Sequence, residues 1–474
     1  MGNGPKIVVI GGGSHQWTPT LVADAAATDG LADAHLALVD IDGERLPRMA
    51  RWVEHVAGAR GVGLTASTHT DRRAALAGAD AVIVCISTGG LDTMAVDLEV
   101  PERYGFRQPV GDTVGPGGIS RALRNVPVMA AIATDVAELA PDAWIVNITN
   151  PMTTLTRTVT LTSDLRAVGL CHEVPIASLW MSLLLGCSAD DLRPAVVGVN
   201  HLPFAVELAQ VGADGATTDA LAALRAILDD DDALDEELPS WVGQVFHDDY
   251  VLPGAIGTGT WDPDEPFTKR ALAGFHAAKF DVFRRTGALP LAGDRHVVEF
   301  FPDYLTEATG WGAVLGVGLT TIDQRRSQES RYVADLEARL ASPDVAGHVS
   351  MESAMPLIDA LLGGPTCTVP VDIPNDGSLV DLPVDAVIET IGVVTGGRIV
   401  AERQLSAPPA VADHLRRLVT SQELTVQAAL SGDRELVVEA LATDPFAGRI
   451  GRDELTAMAD DLIAMNAAYL PQFA

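Results

Sequence analysis

The stretch Lys6–Trp17, KIVVIGGGSHQW, decides how the first half of the chain is read. An apolar, mostly β-branched run ends in three consecutive glycines, and a helical pattern, WTPTLVADAAAT, begins directly after it. Such a run reads as a strand buried on both faces. Glycines at its end let the backbone turn tightly into a helix. Gly11 and Gly13 supply the first two positions of the dinucleotide fingerprint, and Gln16 stands where a third glycine is usual. With Gly12 and Ser14 they form a loop whose backbone can approach a pyrophosphate at a helix N-terminus. The next strand-like run, AHLALVDID, contains Asp40 at its end. A carboxylate there accepts from ribose hydroxyls and favours NAD over NADP, because a 2′-phosphate would be repelled. The same turn could exist without a ligand. Strand, glycines, helix, strand and acid in this order nevertheless point to a dinucleotide.

Further along, apolar residues at Leu46, Met49, Trp52, Val53 and Val56 mark a helix. DAVIVCIS reads as a strand, SRALRNVPVMAAIATDVAELA as a long helix and AWIVNITNP as another strand. This alternation implies a parallel sheet with helices on both faces. Ser87 and Gly89 then fall at a strand's carboxyl end, the edge where open α/β sheets bind ligands, and so do Asn147 and Asn150 in VNITNP. The Asn-x-x-Asn-Pro pattern resembles that of lactate and malate dehydrogenases. The resemblance implies that Asn147 faces the cofactor and Asn150 the substrate, although a plain turn at Asn150–Pro151 would look the same.

Beyond about residue 200 the alternation weakens into helices and Gly/Pro-rich loops such as YVLPGAIGTGTWDPDEP. The expected fold class is therefore α/β: a Rossmann-type parallel sheet followed by an α+β domain, lactate/malate dehydrogenase-like overall. The expected division is an NAD-binding domain over 1–198 and a substrate, metal and oligomerisation domain over 199–474. The segment from Pro408 to Tyr469 reads as helices broken at DPFAGRIG.

The totals narrow the function. The 474 residues suggest more than one domain. Net charge is −32, and lysine occurs only at Lys6, Lys269 and Lys279. That argues against nucleic acid, which needs a cationic surface. No run of about 18 apolar residues is present to span a membrane. The start goes straight into a strand without a secretory pattern, so a cytoplasmic protein is expected. The four cysteines, Cys85, Cys171, Cys187 and Cys367, fit neither a disulfide framework nor a zinc clip.

Of these, Cys171 alone has metal-competent neighbours, in VGLCHEV. Thirty residues on, AVVGVNHLPF offers Asn200 and His201 after another apolar run. Two adjacent strand ends could bring Cys171 and His201 onto one divalent ion, with positions left open for substrate. A strand-end cysteine and histidine can equally be packed or hydrogen-bonded without any ion.

A resemblance covers more than these spacings. GGGSHQWTP, PERYGF, VGDTVGPGGISRALRNVPV, NITNPM, GLCHE, GVNHLPF and GDRHVVEFFP occur in this order and together resemble glycoside hydrolase family 4. The VGDTVGPGGISRALR, CHE and GDRHVVEFFP segments are similar to its α-galacturonidase branch. The resemblance implies NAD and a divalent metal, usually Mn2+, a small-molecule glycoside substrate, and a homodimer or homotetramer. It implies that NAD removes hydride from sugar C3, that a base takes the C2 proton, and that the leaving group departs by elimination before water adds and the ketone is reduced again. This departs from the usual scheme of two carboxylates. Cys171 and His201 match the family's metal ligands. His172 holds the position of the acid that helps the leaving group, and as a histidine it can donate near neutral pH. Asp112 falls where relatives carry an acid near the sugar. Relatives commonly use a tyrosine base, but LPLAGDRHVVEFF has none, which leaves Asp294 and His296, with Tyr250 as a further candidate. A uronate would need a guanidinium, first Arg295 and then Arg121. Two other readings compete: an NAD-dependent 2-hydroxyacid dehydrogenase, and an NAD-binding protein without catalysis.

Overall fold

The computed structural model describes residues 4–245, 265–342, 350 and 352–474. The first strand, β1 (Lys6–Ile10), sends alternate side chains into two different cores. Ile7 and Val9 meet Leu36, Leu38, Ile83 and Val146 on one face, while Val8 and Ile10 meet Val82, Val84 and Ile145 on the other. Burial on both faces is why this strand shows no polar alternation.

The strands β2 (His35–Val39), β3 (Thr65–His69), β4 (Ala81–Val84), β5 (Trp144–Asn147) and β6 (Arg166–Gly169) lie parallel to it in the order β3-β2-β1-β4-β5-β6. The order reverses between β1 and β4, which opens a ligand crevice at their carboxyl ends. Helices Trp17–Ala27, Leu46–Arg60 and Ala354–Leu361 cover the Ile7 face. Helices Gly115–Leu139, Met152–Thr162 and Pro409–Ser431 cover the other. The five apolar positions predicted for the second helix, from Leu46 to Val56, are all buried.

A second sheet follows, from β7 (Leu192–Val199), β8 (Leu202–Val211), β9 (Thr217–Asp219) and β10 (Leu289–Pro290). It packs with helix Glu173–Leu185 and helix Ala277–Thr286 around a third core. The chain then returns to the first sheet. β11 (Cys367–Pro374), β12 (Val387–Thr395) and β13 (Arg398–Ala401) add antiparallel strands beside β6, giving nine strands. Residues of the second half thus complete the sheet of the first. Toward the end, helices Pro409–Ser431, Arg434–Thr443 and Arg452–Met465 are interrupted over 444–451, the DPFAGRIG stretch. Among the described residues, no helix is long and apolar enough to cross a membrane.

Candidate active site

The glycine loop closes against its neighbours. Gly11 has φ +95°, and a Cβ there would lie 2.1 Å from the Cys85 carbonyl oxygen at the end of β4. Only glycine lets β1 turn at that point. The N–H groups of Gly11 and Gly12 both donate to the Val39 carbonyl at 2.8 Å. Gly13 donates to Asp40 Oδ2 at 3.0 Å, and a Cβ on Gly13 would come 2.6 Å from that oxygen. Asp40 Oδ1 accepts from the Asp42 N–H at 2.9 Å, and Ser14 Oγ accepts from the Trp17 N–H at 3.1 Å. The result is a side-chain-free cradle at a helix N-terminus with a fixed carboxylate beside it, a form that fits a dinucleotide. Ser87, exposed, and Gly89, at φ +81°, stand beyond the end of the adjacent β4.

Asn147 differs from its expected part. Its Nδ2 donates to the Thr149 and Met152 carbonyls and to Thr156 Oγ1, and its Oδ1 accepts from the Thr149 N–H. Fully buried and fully engaged, this carboxamide staples the turn after β5 and has no group left for a cofactor. Asn150 is the freer of the two. Its Nδ2 donates to Asp112 Oδ2 at 3.1 Å, while its buried Oδ1 has no partner. Arg121 Nε donates to the Asn150 carbonyl at 2.9 Å.

Asp112 sits on a loop held from the other half of the chain. Glu299 Oε1 accepts from the N–H groups of Val110 and Gly111, at 2.7 and 2.8 Å. Thr113 Oγ1 donates to Asp112 Oδ1 at 2.7 Å and also lies 2.7 Å from His201 Nδ1. A hydroxyl has one proton. With that proton on Asp112, the hydroxyl oxygen must accept from His201 Nδ1–H, so Nε2 keeps its lone pair. Burial raises the Asp112 carboxyl, but His201 and His296, protonated in the acid range where it titrates, and Arg121 outweigh it and hold the group well below the usual carboxylate range.

His201 is presented by a hairpin. Val199 pairs with Leu202, so Asn200 and His201 alone connect β7 to β8. His201 takes φ +66°, a left-handed conformation uncommon outside glycine that histidine enters more readily than most residues. This corrects the expected arrangement: β6 is flanked by β5 and β11, and β7 lies in the other sheet. The hairpin is nevertheless tied to the first sheet, since Asn200 N–H donates to Thr153 Oγ1 at 3.0 Å and Asn200 Nδ2 to Glu389 Oε2 at 3.5 Å.

Among the described residues, Asp112, His201 and His296 form a trio whose ligating atoms lie within 4.8 Å of one another. Burial pulls His201 down to about 3 and His296 to about 4, so both rings are neutral at pH 7. His296 Nδ1 is buried without a partner. Two neutral imidazoles and an ionised carboxylate make a donor set for a divalent cation. Cys171 stands outside this trio. It is a free, buried thiol whose pKa is pushed well up by burial and then by Glu389, Glu173 and Asp372. An ion bound there would have to displace its proton.

His172 Nδ1 lies 2.7 Å from Glu352 Oε1, and His172 Nε2 is 4.0 Å from Glu173 Oε1. Burial opposes its protonation, but the Glu352 hydrogen bond and both carboxylates lift it to about 9. It carries a proton at neutral pH. Asp294 is placed otherwise than a base would be. Its oxygens accept the N–H groups of Ala278 and Lys279, at 2.7 and 3.1 Å, so it caps the start of helix Ala277–Thr286. Arg295 donates from Nη2 to the Pro109 carbonyl at 2.9 Å and to Thr320 Oγ1. Tyr250 lies outside the described residues.

Several contributors carry no local sequence signal. Thr113, Glu299, Arg325 and Glu352 reach the site through contacts that span 88 to 216 residues. The neighbouring Asp112 was named from the resemblance alone, as an acid near the sugar and not as a metal ligand.

Comparison with known proteins bears on the family and the fold. The family 4 glycosyl hydrolase model matches residues 6–184, and the model of that family's C-terminal domain matches residues 196–447. An alpha-galacturonidase of Bacillus subtilis is 32% identical over 97% of this chain and 96% of its own. The solved structure of lplD from Bacillus subtilis, 30% identical, covers 97% of this chain and 99% of its own with a TM-score of 0.80. A 6-phospho-alpha-glucosidase from gut microorganisms, solved in complex with NAD and Mn2+, covers 100% of both chains at 18% identity and a TM-score of 0.76, which speaks for the fold. With both family models matched in order and a relative above 30% identity along nearly its whole length, the chain belongs to family 4 of the glycosyl hydrolases.

Proposed function

We propose that this protein is an α-glycosidase that works with NAD and a divalent ion, manganese in the first instance, and that an α-galacturonide is its substrate. The observation that carries the reading is the hydrogen-bonded chain Asp112–Thr113–His201 with His296 beside it, a carboxylate and two neutral imidazoles whose ligating atoms lie within 4.8 Å of one another. A 2-hydroxyacid dehydrogenase gives no reason for that convergence. The glycine cradle and Asp40 support NAD as the second cofactor, and the Bacillus subtilis alpha-galacturonidase supports the choice of sugar.

His201 through Nε2, with Asp112 and His296, would hold the ion, and Cys171, which shares Glu173 with His201 as a charged neighbour, is kept as a further ligand. The loop Gly11–Ser14 and Asp40 would hold NAD. When bound, NAD supplies a reversible hydride acceptor and the ion supplies positive charge beside two neighbouring sugar oxygens. His172 is the proton donor to the leaving oxygen: Glu352 occupies Nδ1 and orients the ring, so Nε2 is the donating atom. Asp294 is engaged as a cap, and a neutral imidazole that gives its one lone pair to the ion has none left for the C2 proton, so neither Asp294 nor an ion-bound His296 serves as the base; Tyr250, the other candidate from the sequence, lies outside the described residues. Asn150, with a free buried carbonyl oxygen, accepts from a sugar hydroxyl.

The test is a panel of 4-nitrophenyl α-glycosides, uronides included, assayed with NAD, Mn2+ and a thiol reductant. Cleavage without net NADH, together with deuterium from solvent at C2 of the released sugar, is expected. Steady accumulation of NADH without nitrophenol would rule the reading out in favour of a dehydrogenase.

A further inference from the structure

Three arginines crowd the side of the site where Asp112 lies, and their hydrogen bonds do not account for their charge. Arg295 lies in helix Asp294–Phe300, and Arg325 lies in the first turns of helix Ile322–Ala341. Arg325 Nη2 donates to the carbonyls of Val110 and Pro109, at 2.9 and 3.3 Å, and Arg295 shares the Pro109 carbonyl. The Nε atoms of both are buried without a partner. Among the described residues neither guanidinium has a carboxylate within 4.0 Å, and Arg121 has none either. Arg124 shows what a structural arginine looks like in this molecule: two nitrogens on Asp97, each at 2.7 Å.

The nearby acids do not balance the surplus. Asp112 is engaged by Asn150 and Thr113. Glu299 holds two backbone N–H groups, and burial pushes it up to about 8, so it is largely neutral at pH 7. Burial opposes the charge on both guanidiniums, Asp112 and Glu299 support it, and Arg295 and Arg121 oppose that on Arg325. Partly buried cations without counter-ions are costly, and planar guanidiniums match the paired oxygens of carboxylates and phosphates.

We infer that Arg295 and Arg325 form a paired guanidinium clamp for an anionic group on the sugar, and that Arg325 sets the preference for that group over a neutral hydroxymethyl. The inference rests on the glycosidase reading above and extends it to a residue in a different helix. A carboxylate at C6 and a phosphate on O6 offer the same chemistry to such a clamp. The competing explanation is that both arginines merely staple the 109–110 loop.

The experiment compares 4-nitrophenyl α-galactosiduronic acid, 4-nitrophenyl α-galactoside and its 6-phosphate on the unmodified enzyme, on Arg325→Gln and on Arg325→Lys, with NAD and Mn2+ present. The unmodified enzyme should prefer one of the anionic sugars, and which one identifies the source of the charge. Arg325→Gln should lower the anionic-to-neutral ratio of kcat/KM about 30-fold or more, the loss expected when one partner of a buried charge pair is removed. Arg325→Lys, which keeps the charge but not the planar fork, should fall between. Thermal melting of both variants checks that they fold. A preference for the neutral galactoside overturns the clamp, and so does an equal loss on all three substrates, which is the signature of a loop staple. Cleavage of none of them by the unmodified enzyme removes the glycosidase reading itself.

Discussion

The imidazole of His201 lies over that of His296, ring centroids 3.7 Å apart and planes tilted by 32°. One ring comes from the β7–β8 hairpin and the other from helix Asp294–Phe300, almost a hundred residues later in the chain. Two charged rings would repel at this distance. Burial keeps both neutral, and the ionised Asp112 beside them supplies the charge that a cation needs. Folding has therefore assembled a donor set at the carboxyl side of the first sheet from a loop, a hairpin and a helix.

Thr113 fixes which nitrogen of His201 is free. Thr113→Val removes both the proton given to Asp112 and the oxygen that holds His201 Nδ1–H. Such supporting partners typically contribute 10–100-fold to metal affinity, so Mn2+ affinity should fall by roughly that factor. Thr113→Ser should restore most of it. Titration of Mn2+ by electron paramagnetic resonance reads this directly, and an unchanged affinity in the valine variant would refute the tautomer argument.

Asn147→Ala leaves the Thr149 N–H and several acceptors without their buried partner. The expected loss is about 3 kcal/mol of stability, from unsatisfied buried groups. A lower urea midpoint with an unaltered NAD affinity in the remaining folded protein is the predicted pattern. The reverse pattern would return Asn147 to the cofactor.

Glu299 gives a pH dependence. Its carboxyl is raised from 4.5 to about 8, first by burial, although the N–H groups of Val110 and Gly111 oppose the rise. Between those two values the folded state binds a proton that the unfolded state has released. Stability must therefore fall as pH rises from about 4.5 to 8, by up to ~1.4 kcal/mol per pH unit from this group. Glu299→Gln keeps an oxygen acceptor for both N–H groups and removes the titration, so its denaturation midpoint should vary less between pH 5 and pH 8. Parallel curves for the two proteins would refute the assignment.

The first half of the fold was legible because its signals are local. KIVVI is apolar throughout since both faces of β1 are buried, and the glycines follow because a Cβ at Gly11 would strike the end of β4. β3, TASTH, was not legible: an edge strand with polar, partly exposed side chains has no apolar period to read. β11 to β13 join a sheet begun some 360 residues earlier, and no pattern within those strands reveals their partner. At the site, His201 was singled out as a metal-competent residue after an apolar run, and Asp112 because relatives carry an acid at that place. The meeting of His201 with His296, and the use of Asp294 as a helix cap, depend on tertiary packing that spacing does not encode.

A cation held by His201 and Asp112 is the centre of the proposed chemistry. Titration of Mn2+, followed by electron paramagnetic resonance in the presence of NAD, should show one bound ion on the unmodified protein. Asp112→Asn and His201→Asn should each weaken it by more than the roughly 100-fold that loss of a supporting partner can cost. Retention of unmodified affinity in both variants would contradict the site.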